Sequence, residues 1–238
     1  MSASHDLHLF LLPGLLSDAR LWQHQMAGLS DIAHVSVADL SGADTIAALA
    51  AAALSQAPAK RFALGGLSMG GYVALEMMRQ APERIQALAL LDTNARPDTP
   101  EATENRRRLM QLAARDFSAV TDTLLPKLLH PDHVADASLA KLVAAMARGI
   151  GVQAFLRQQR AIMARGDSRP SLSQISCPTL VLCGREDSLT PVEVHEEMAQ
   201  AIPRARLVVI EQCGHLSALE QPQQVNHALR RWLTEIGH

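Results

Sequence analysis

The chain has 238 residues, 48% of them hydrophobic but only 3% aromatic, with a formal net charge of -2. That length suits one domain, or one domain carrying an insertion, with a core large enough to need no staples. The near-balanced charge offers no handle for nucleic acid or an anionic membrane surface. Cys177, Cys183 and Cys213 lack CxxC spacing, so no disulfide framework is expected and a reduced, cytoplasmic setting fits.

Residues 1–6 contain no basic leader region. The apolar stretch that follows is interrupted at Pro13-Gly14, so neither a signal peptide nor a membrane span is expected, and no later segment reads as long enough to cross a bilayer. Short aliphatic runs at 7–12, 33–38, 61–67 and 85–91 predict four strands, with helices near 45–56 and 69–80 between them. Residues 95–169 break that rhythm with helical stripes only: Leu139, Leu142, Val143 and Met146, then Val152, Phe155, Leu156, Ile162 and Met163. Gly149 and Gly166 read there as helix stops, and Arg106-Arg107-Arg108 as a solvated helix face. Strands resume at 179–183 and 205–210, and helices are expected over 193–201 and 223–236.

Continuous apolar strands alternating with helices predict an α/β fold. Its sheet is mostly parallel, of about six strands, with helices on both faces. Residues 1–94 and 170–238 would form the core, and 95–169 an all-helical insertion between the fourth and fifth strands.

Gly66-Leu67-Ser68-Met69-Gly70 is a G-x-S-x-G sequence placed between a strand and a helix. A sharp turn there exposes a serine hydroxyl, and the glycines remove Cβ atoms that would clash. A serine hydroxyl is a weak nucleophile that needs a base, and the base needs an orienting carboxylate. His215, beside Gly214 on the loop after the last strand, is the candidate base. Asp187, with Glu186 beside it, leaves the 179–183 strand before Pro191, whereas Asp92 ends the fourth strand; both aspartates are candidates for the acid. Backbone donors for a developing oxyanion are expected from Met69, directly after the nucleophile, and from Leu15 after Pro13-Gly14. His195 reads as a surface helix residue. His130 and His133 have H-x2-H spacing without a third ligand, so no metal site is expected.

Together Pro13-Gly14-Leu15, the Gly66–Gly70 segment, Pro178 to Gly184 with Asp187, and Gly214-His215 resemble the α/β-hydrolase superfamily, over essentially the whole chain. The resemblance implies Ser68 as nucleophile, His215 as base, Asp187 as acid by its spacing before Pro191, and 95–169 as a cap. The chain looks most like small capped esterases, biotin-pathway carboxylesterases and 3-oxoadipate enol-lactonases. It departs from many relatives in having Pro13-Gly14 where they have His-Gly, and in beginning without an antiparallel strand pair.

The implied activity is cofactor-independent hydrolysis of a small carboxylic ester, thioester or lactone through an acyl-enzyme on Ser68. Leu15, Trp22 and Met69 are expected to line its pocket. With few aromatics and no obvious basic cluster, a modest aliphatic or alicyclic acyl group fits. The same scaffold also serves haloperoxidases or perhydrolases, C–C hydrolases or lyases, and non-catalytic binding proteins. No nucleic acid or membrane partner is expected, and the protein would be a monomer or homodimer.

Overall fold

Alternation hidden inside the apolar runs decides how the sheet is covered. The structure, a computed structural model, describes residues 7–237. Its strands are β1 (His8–Leu12), β2 (His34–Val37), β3 (Phe62–Leu67), β4 (Ile85–Leu91), β5 (Thr179–Gly184) and β6 (Ala205–Ile210). They form one parallel sheet in the order β2-β1-β3-β4-β5-β6. Successive strand side chains point to opposite faces. Phe10, Leu12, Phe62, Leu64, Leu88, Leu90 and Val181 therefore pack with α2 (Ile46–Gln56), α3 (Met69–Gln80) and α7 (Val192–Ala201). Leu9, Leu11, Ala63, Leu67, Ala87, Leu91, Leu180 and Leu182 pack on the other face against α9 (Pro222–Thr234) and the turn at Ala19–Trp22. The short helices α1 (Gln23–Gly28) and α8 (Ser217–Glu220) complete that side.

Register brings the functional loops to one edge. Leu67 pairs with Leu91, and Leu91 with Leu182, so β3 and β4 end level with one another and β5 runs on to Gly184. Ser68, Asp92 and the loop carrying Asp187 leave from those ends, the usual place for ligands on an open α/β sheet.

Between β4 and β5 the chain forms α4 (Pro100–Arg115), α5 (Phe117–Leu128) and α6 (Ala137–Met163). Each start is written in the sequence: Thr99, Asp116 and Asp136 accept first-turn N–H groups from Ala102, from Ser118 and Ala119, and from Ser138 and Leu139. Leu16, Ala113, Val120, Ala147 and Phe155 tie these helices to the loop after β1.

Gly149 does not stop the helix. The break falls two residues later at Gly151, whose φ is 76°. Gly149 answers a different need, because a Cβ there would lie 2.8 Å from the Arg20 guanidinium, which donates to the Ala145 carbonyl. By length and composition α6 is long and apolar enough to cross a membrane, contrary to the expectation from sequence. Its Val143, Met146, Phe155 and Ile162 instead pack into the three apolar clusters of the fold. All three cysteines are free thiols, and burial pushes those of Cys183 and Cys213 far up.

Candidate active site

Ser68 stands between β3 and α3 with φ 55° and ψ -115°, a conformation rare for any residue with a Cβ. Two glycines make room for it. A Cβ on Gly66 would lie 2.3 Å from the Gly70 carbonyl oxygen, and one on Gly70 2.2 Å from that of Leu12. Strand, elbow and the loop after β1 are thus compressed together. The Ser68 N–H donates to the Leu91 carbonyl at 3.0 Å, and the Thr93 hydroxyl donates to the Ser68 carbonyl at 2.8 Å.

Ser68 Oγ lies 2.9 Å from His215 Nε2, and His215 Nδ1 lies 2.8 Å from Asp187 Oδ2. An ionised carboxylate only accepts, so Nδ1 carries the imidazole proton. Nε2 is then free to accept the serine proton. Asp187 is itself fixed: Oδ1 accepts from the N–H groups of Leu189 (2.9 Å) and Thr190 (3.0 Å), and Oδ2 from the Thr190 hydroxyl (2.6 Å). Burial works to raise the Asp187 pKa, but the charge and hydrogen bond of His215, with those from Thr190, hold it below the usual carboxylate range. For His215 burial acts downward, and the Asp187 carboxylate more than offsets it, so its pKa lies above that of free imidazole.

Asp92 does not reach His215. Its Oδ1 accepts from the Gly184 N–H at 3.1 Å, and its Oδ2 lies 2.5 Å from the Ser217 hydroxyl. Burial, then repulsion from Asp187, pushes its carboxyl well above the ordinary range. It fastens the end of β5 to the residues following His215.

The first N–H groups of a helix have no acceptor within it, and the Met69 amide opens α3 beside Ser68 without an acceptor among the described residues. Opposite it runs the loop after β1, where a Cβ on Gly14 would be 3.4 Å from that of Ser68. Gln158 of α6 takes the next amide but one: its Oε1 accepts from the Leu16 N–H at 3.2 Å, while its Nε2 donates to the Leu40 carbonyl at 3.1 Å. In that turn the Leu15 amide is left without an acceptor among the described residues.

A cavity of about 260 Å³ lies over Ser68 and His215. Leu15 lines it from the core, and Leu109, Leu124 and Val143 from the inserted helices.

Three sequence expectations need correction. Trp22 does not line the cavity but is fully buried in the core beneath it, and the Met69 side chain is buried with the opposite cluster. His195 is not on the surface: buried, it accepts the Thr93 N–H at Nε2 (2.9 Å) and donates from Nδ1 to the Pro191 carbonyl (3.1 Å). Burial lowers its pKa to about 4. Arg106 does not share the exposure of Arg107 and Arg108; its side chain turns inward, pairs with Asp98 at 2.7 Å and lines the cavity.

Sequence reading also missed Glu220. Its buried carboxylate accepts from the N–H groups of Gly214 (3.1 Å), Leu216 (3.2 Å) and His130 (2.6 Å), and pairs with His133 Nδ1 (2.9 Å). It locks the residues flanking His215 to the inserted helices. The signal was an acid directly after the apolar stretch Leu216-Ser217-Ala218-Leu219. His130 and His133 are engaged in this contact. No group of three or more His, Cys, Asp or Glu side chains placed to hold a metal occurs among the described residues.

Residues 8–222 match the family model described as alpha/beta hydrolase fold. A pimeloyl-[acyl-carrier protein] methyl ester esterase of Nitrosomonas europaea is 34% identical over 171 residues, covering 69% of this chain and 68% of that protein. The 3-oxoadipate enol-lactonase 2 of Acinetobacter baylyi is 29% identical over 80% of this chain and 68% of its own length. Among solved structures, a thermophilic esterase from Thermogutta terrifontis with malate bound aligns at a TM-score of 0.88 and 33% identity, covering 97% of this chain and 90% of that one.

Proposed function

The chain belongs to the alpha/beta hydrolase fold family and is a hydrolase of the carboxylic-ester class, and we propose that it cleaves a small ester, thioester or lactone through an acyl-enzyme on Ser68. The observation that carries this reading is the relay from Ser68 Oγ to His215 Nε2 (2.9 Å) and from His215 Nδ1 to Asp187 Oδ2 (2.8 Å).

Ser68 Oγ attacks the substrate carbonyl carbon while its proton passes to His215 Nε2. Asp187 holds the ring and stabilises the imidazolium that forms. The carbonyl oxygen becomes an oxyanion held by the Met69 and Leu15 amides, each worth about 3–4 kcal/mol in the transition state. Collapse of the tetrahedral intermediate breaks the bond to the leaving oxygen or sulfur, which takes the proton from His215. Water then attacks the acyl carbon and gives its proton to His215, and Ser68 regains its own as the acid departs. Residues 95–169 act as the cap, and α4, α5 and α6 set which acyl groups enter.

The test is turnover of a panel of short p-nitrophenyl esters, thioesters and lactones by the wild type and by Ser68→Ala. The wild type should hydrolyse members of the panel, and Ser68→Ala should lose at least about 10³-fold in kcat with its fold intact. Wild-type rates in Ser68→Ala would sink the reading.

A further inference from the structure

The polar lining of the cavity is one-sided. Among the described residues Arg106, Lys127 and His215 line it, and no Asp or Glu does. Asp98 partners both Arg106 and Arg165, so two guanidinium groups share one carboxylate and a positive charge is left over. Among the described residues Lys127, on the exposed side of α5, forms no ion pair to offset it.

Gln159 completes the asymmetry. Arg106 Nη1 donates to Gln159 Oε1 at 3.1 Å. A guanidinium cannot accept, so the orientation of the amide is fixed by its partner: Oε1 faces Arg106 and Nε2 faces away. Nε2 is buried and has no partner in the protein. Among the described residues six buried side-chain nitrogen or oxygen atoms lack a partner, and Gln159 is the one residue of that set that lines the Ser68 cavity. Its neighbour Gln158 has both amide atoms engaged, so the free donor is not a general property of this part of α6. Most buried donors are paired in folded proteins, and an unpaired one calls for an explanation, which at the wall of a cavity a ligand atom supplies.

We propose that Gln159 Nε2, backed by Arg106 and with Lys127 at the rim, receives a carboxylate on the substrate chain remote from the scissile carbonyl. The preferred substrate would then be a half-ester, half-thioester or lactone of a dicarboxylic acid, rather than an ester of a plain fatty acid. This differs from the aliphatic or alicyclic preference expected from few aromatics and no obvious basic cluster, because Arg106 and Lys127 meet at the cavity. The proposal deepens the hydrolase reading above and rests on it.

Two matched series separate them: mono-p-nitrophenyl esters of four- to eight-carbon dicarboxylic acids, and p-nitrophenyl esters of monocarboxylic acids of the same lengths. At the best-fitting length the wild type should favour the carboxylate-bearing ester by at least about tenfold in kcat/KM. Gln159→Met should bring that ratio to about one, chiefly through KM, with an unchanged thermal unfolding transition reporting the fold. Gln159→Glu should turn the preference toward the neutral ester. Lys127→Ala, at an exposed position, should lower the ratio by a smaller factor and weaken its dependence on salt. A wild type that hydrolyses the neutral series yet shows no carboxylate preference at any length overturns this proposal and leaves the hydrolase reading standing. A preference that survives Gln159→Met also overturns it. A wild type inert toward both series overturns the hydrolase reading and this one with it.

Discussion

Replacing Asp187 by Asn should nearly abolish turnover, and the reason lies in which atom must take which place. Asp187 Oδ1 accepts two backbone N–H groups, from Leu189 and Thr190. In the Asn variant the amide oxygen must stay there, since an NH2 group cannot accept. Nδ2 therefore replaces Oδ2, 2.8 Å from His215 Nδ1. It donates to Nδ1, which moves the imidazole proton to Nε2, and Nε2 can then no longer accept from Ser68. Loss of the correct tautomer and of the charge facing the imidazolium should cost about 10³–10⁴ in kcat, roughly 4–5.5 kcal/mol of barrier.

The control is Asp92→Asn. Burial already drives the Asp92 carboxyl toward its neutral form, and an amide keeps two of its contacts, accepting from Gly184 and donating to the Ser217 hydroxyl, while giving up the longer one from the Ser217 N–H at 3.3 Å. That variant should keep kcat within about tenfold of wild type. The assay is kcat on a short p-nitrophenyl ester, with thermal unfolding to confirm both folds. An Asp187→Asn enzyme retaining more than a tenth of wild-type kcat, or an Asp92→Asn enzyme that falls further, would refute the assignment of the acid.

The pH dependence of kcat/KM follows from His215, which must be neutral to act as base. Its pKa is raised, so activity should rise with pH to a half-maximal point above about 6.5, and in Asp187→Asn that point should move to lower pH. Gly70→Ala would set a Cβ 2.2 Å from the Leu12 carbonyl oxygen; urea melts should show a loss of several kcal/mol or no folded protein, because backbone rather than a flexible side chain must move. Gln158→Leu strips partners from the buried Leu16 N–H and Leu40 carbonyl; about 2–4 kcal/mol of stability should go, with kcat reduced through the loosened Leu15 turn more than KM.

Ser68 and His215 were legible because their chemistry is local. A strained elbow demands glycines at fixed offsets, and the strand before it and helix after it announce themselves by composition. The sheet was legible for the same reason, since strands buried on both faces are continuously apolar. Arg106 points inward although the run Arg106-Arg107-Arg108 reads as one solvated face. Helical neighbours are about 100° apart, so the run Arg106-Arg107-Arg108 spans the helix surface and one member turns inward.

Trp22 and His195 failed differently. Each sits in a short or amphipathic segment whose inward direction is set by contacts distant in sequence, with the β1 to β5 core for Trp22 and with Thr93 for His195. Gln159 carries no local signal of its role, and Glu220 only the position of an acid directly after the apolar stretch Leu216-Ser217-Ala218-Leu219. A buried Glu is recognisable only once the amides of Gly214, Leu216 and His130 are seen to converge on it. The free Nε2 of Gln159 is visible only after Arg106 has claimed the oxygen.

The most direct measurement is covalent labelling by a fluorophosphonate, which needs an activated serine, its base and an oxyanion site together but no knowledge of the natural substrate. Intact-mass and peptide analysis should find one adduct per chain, on Ser68. The adduct should be absent in Ser68→Ala and form far more slowly in His215→Gln. A wild-type protein that stays unlabelled, or that carries the adduct on another residue, would contradict the account.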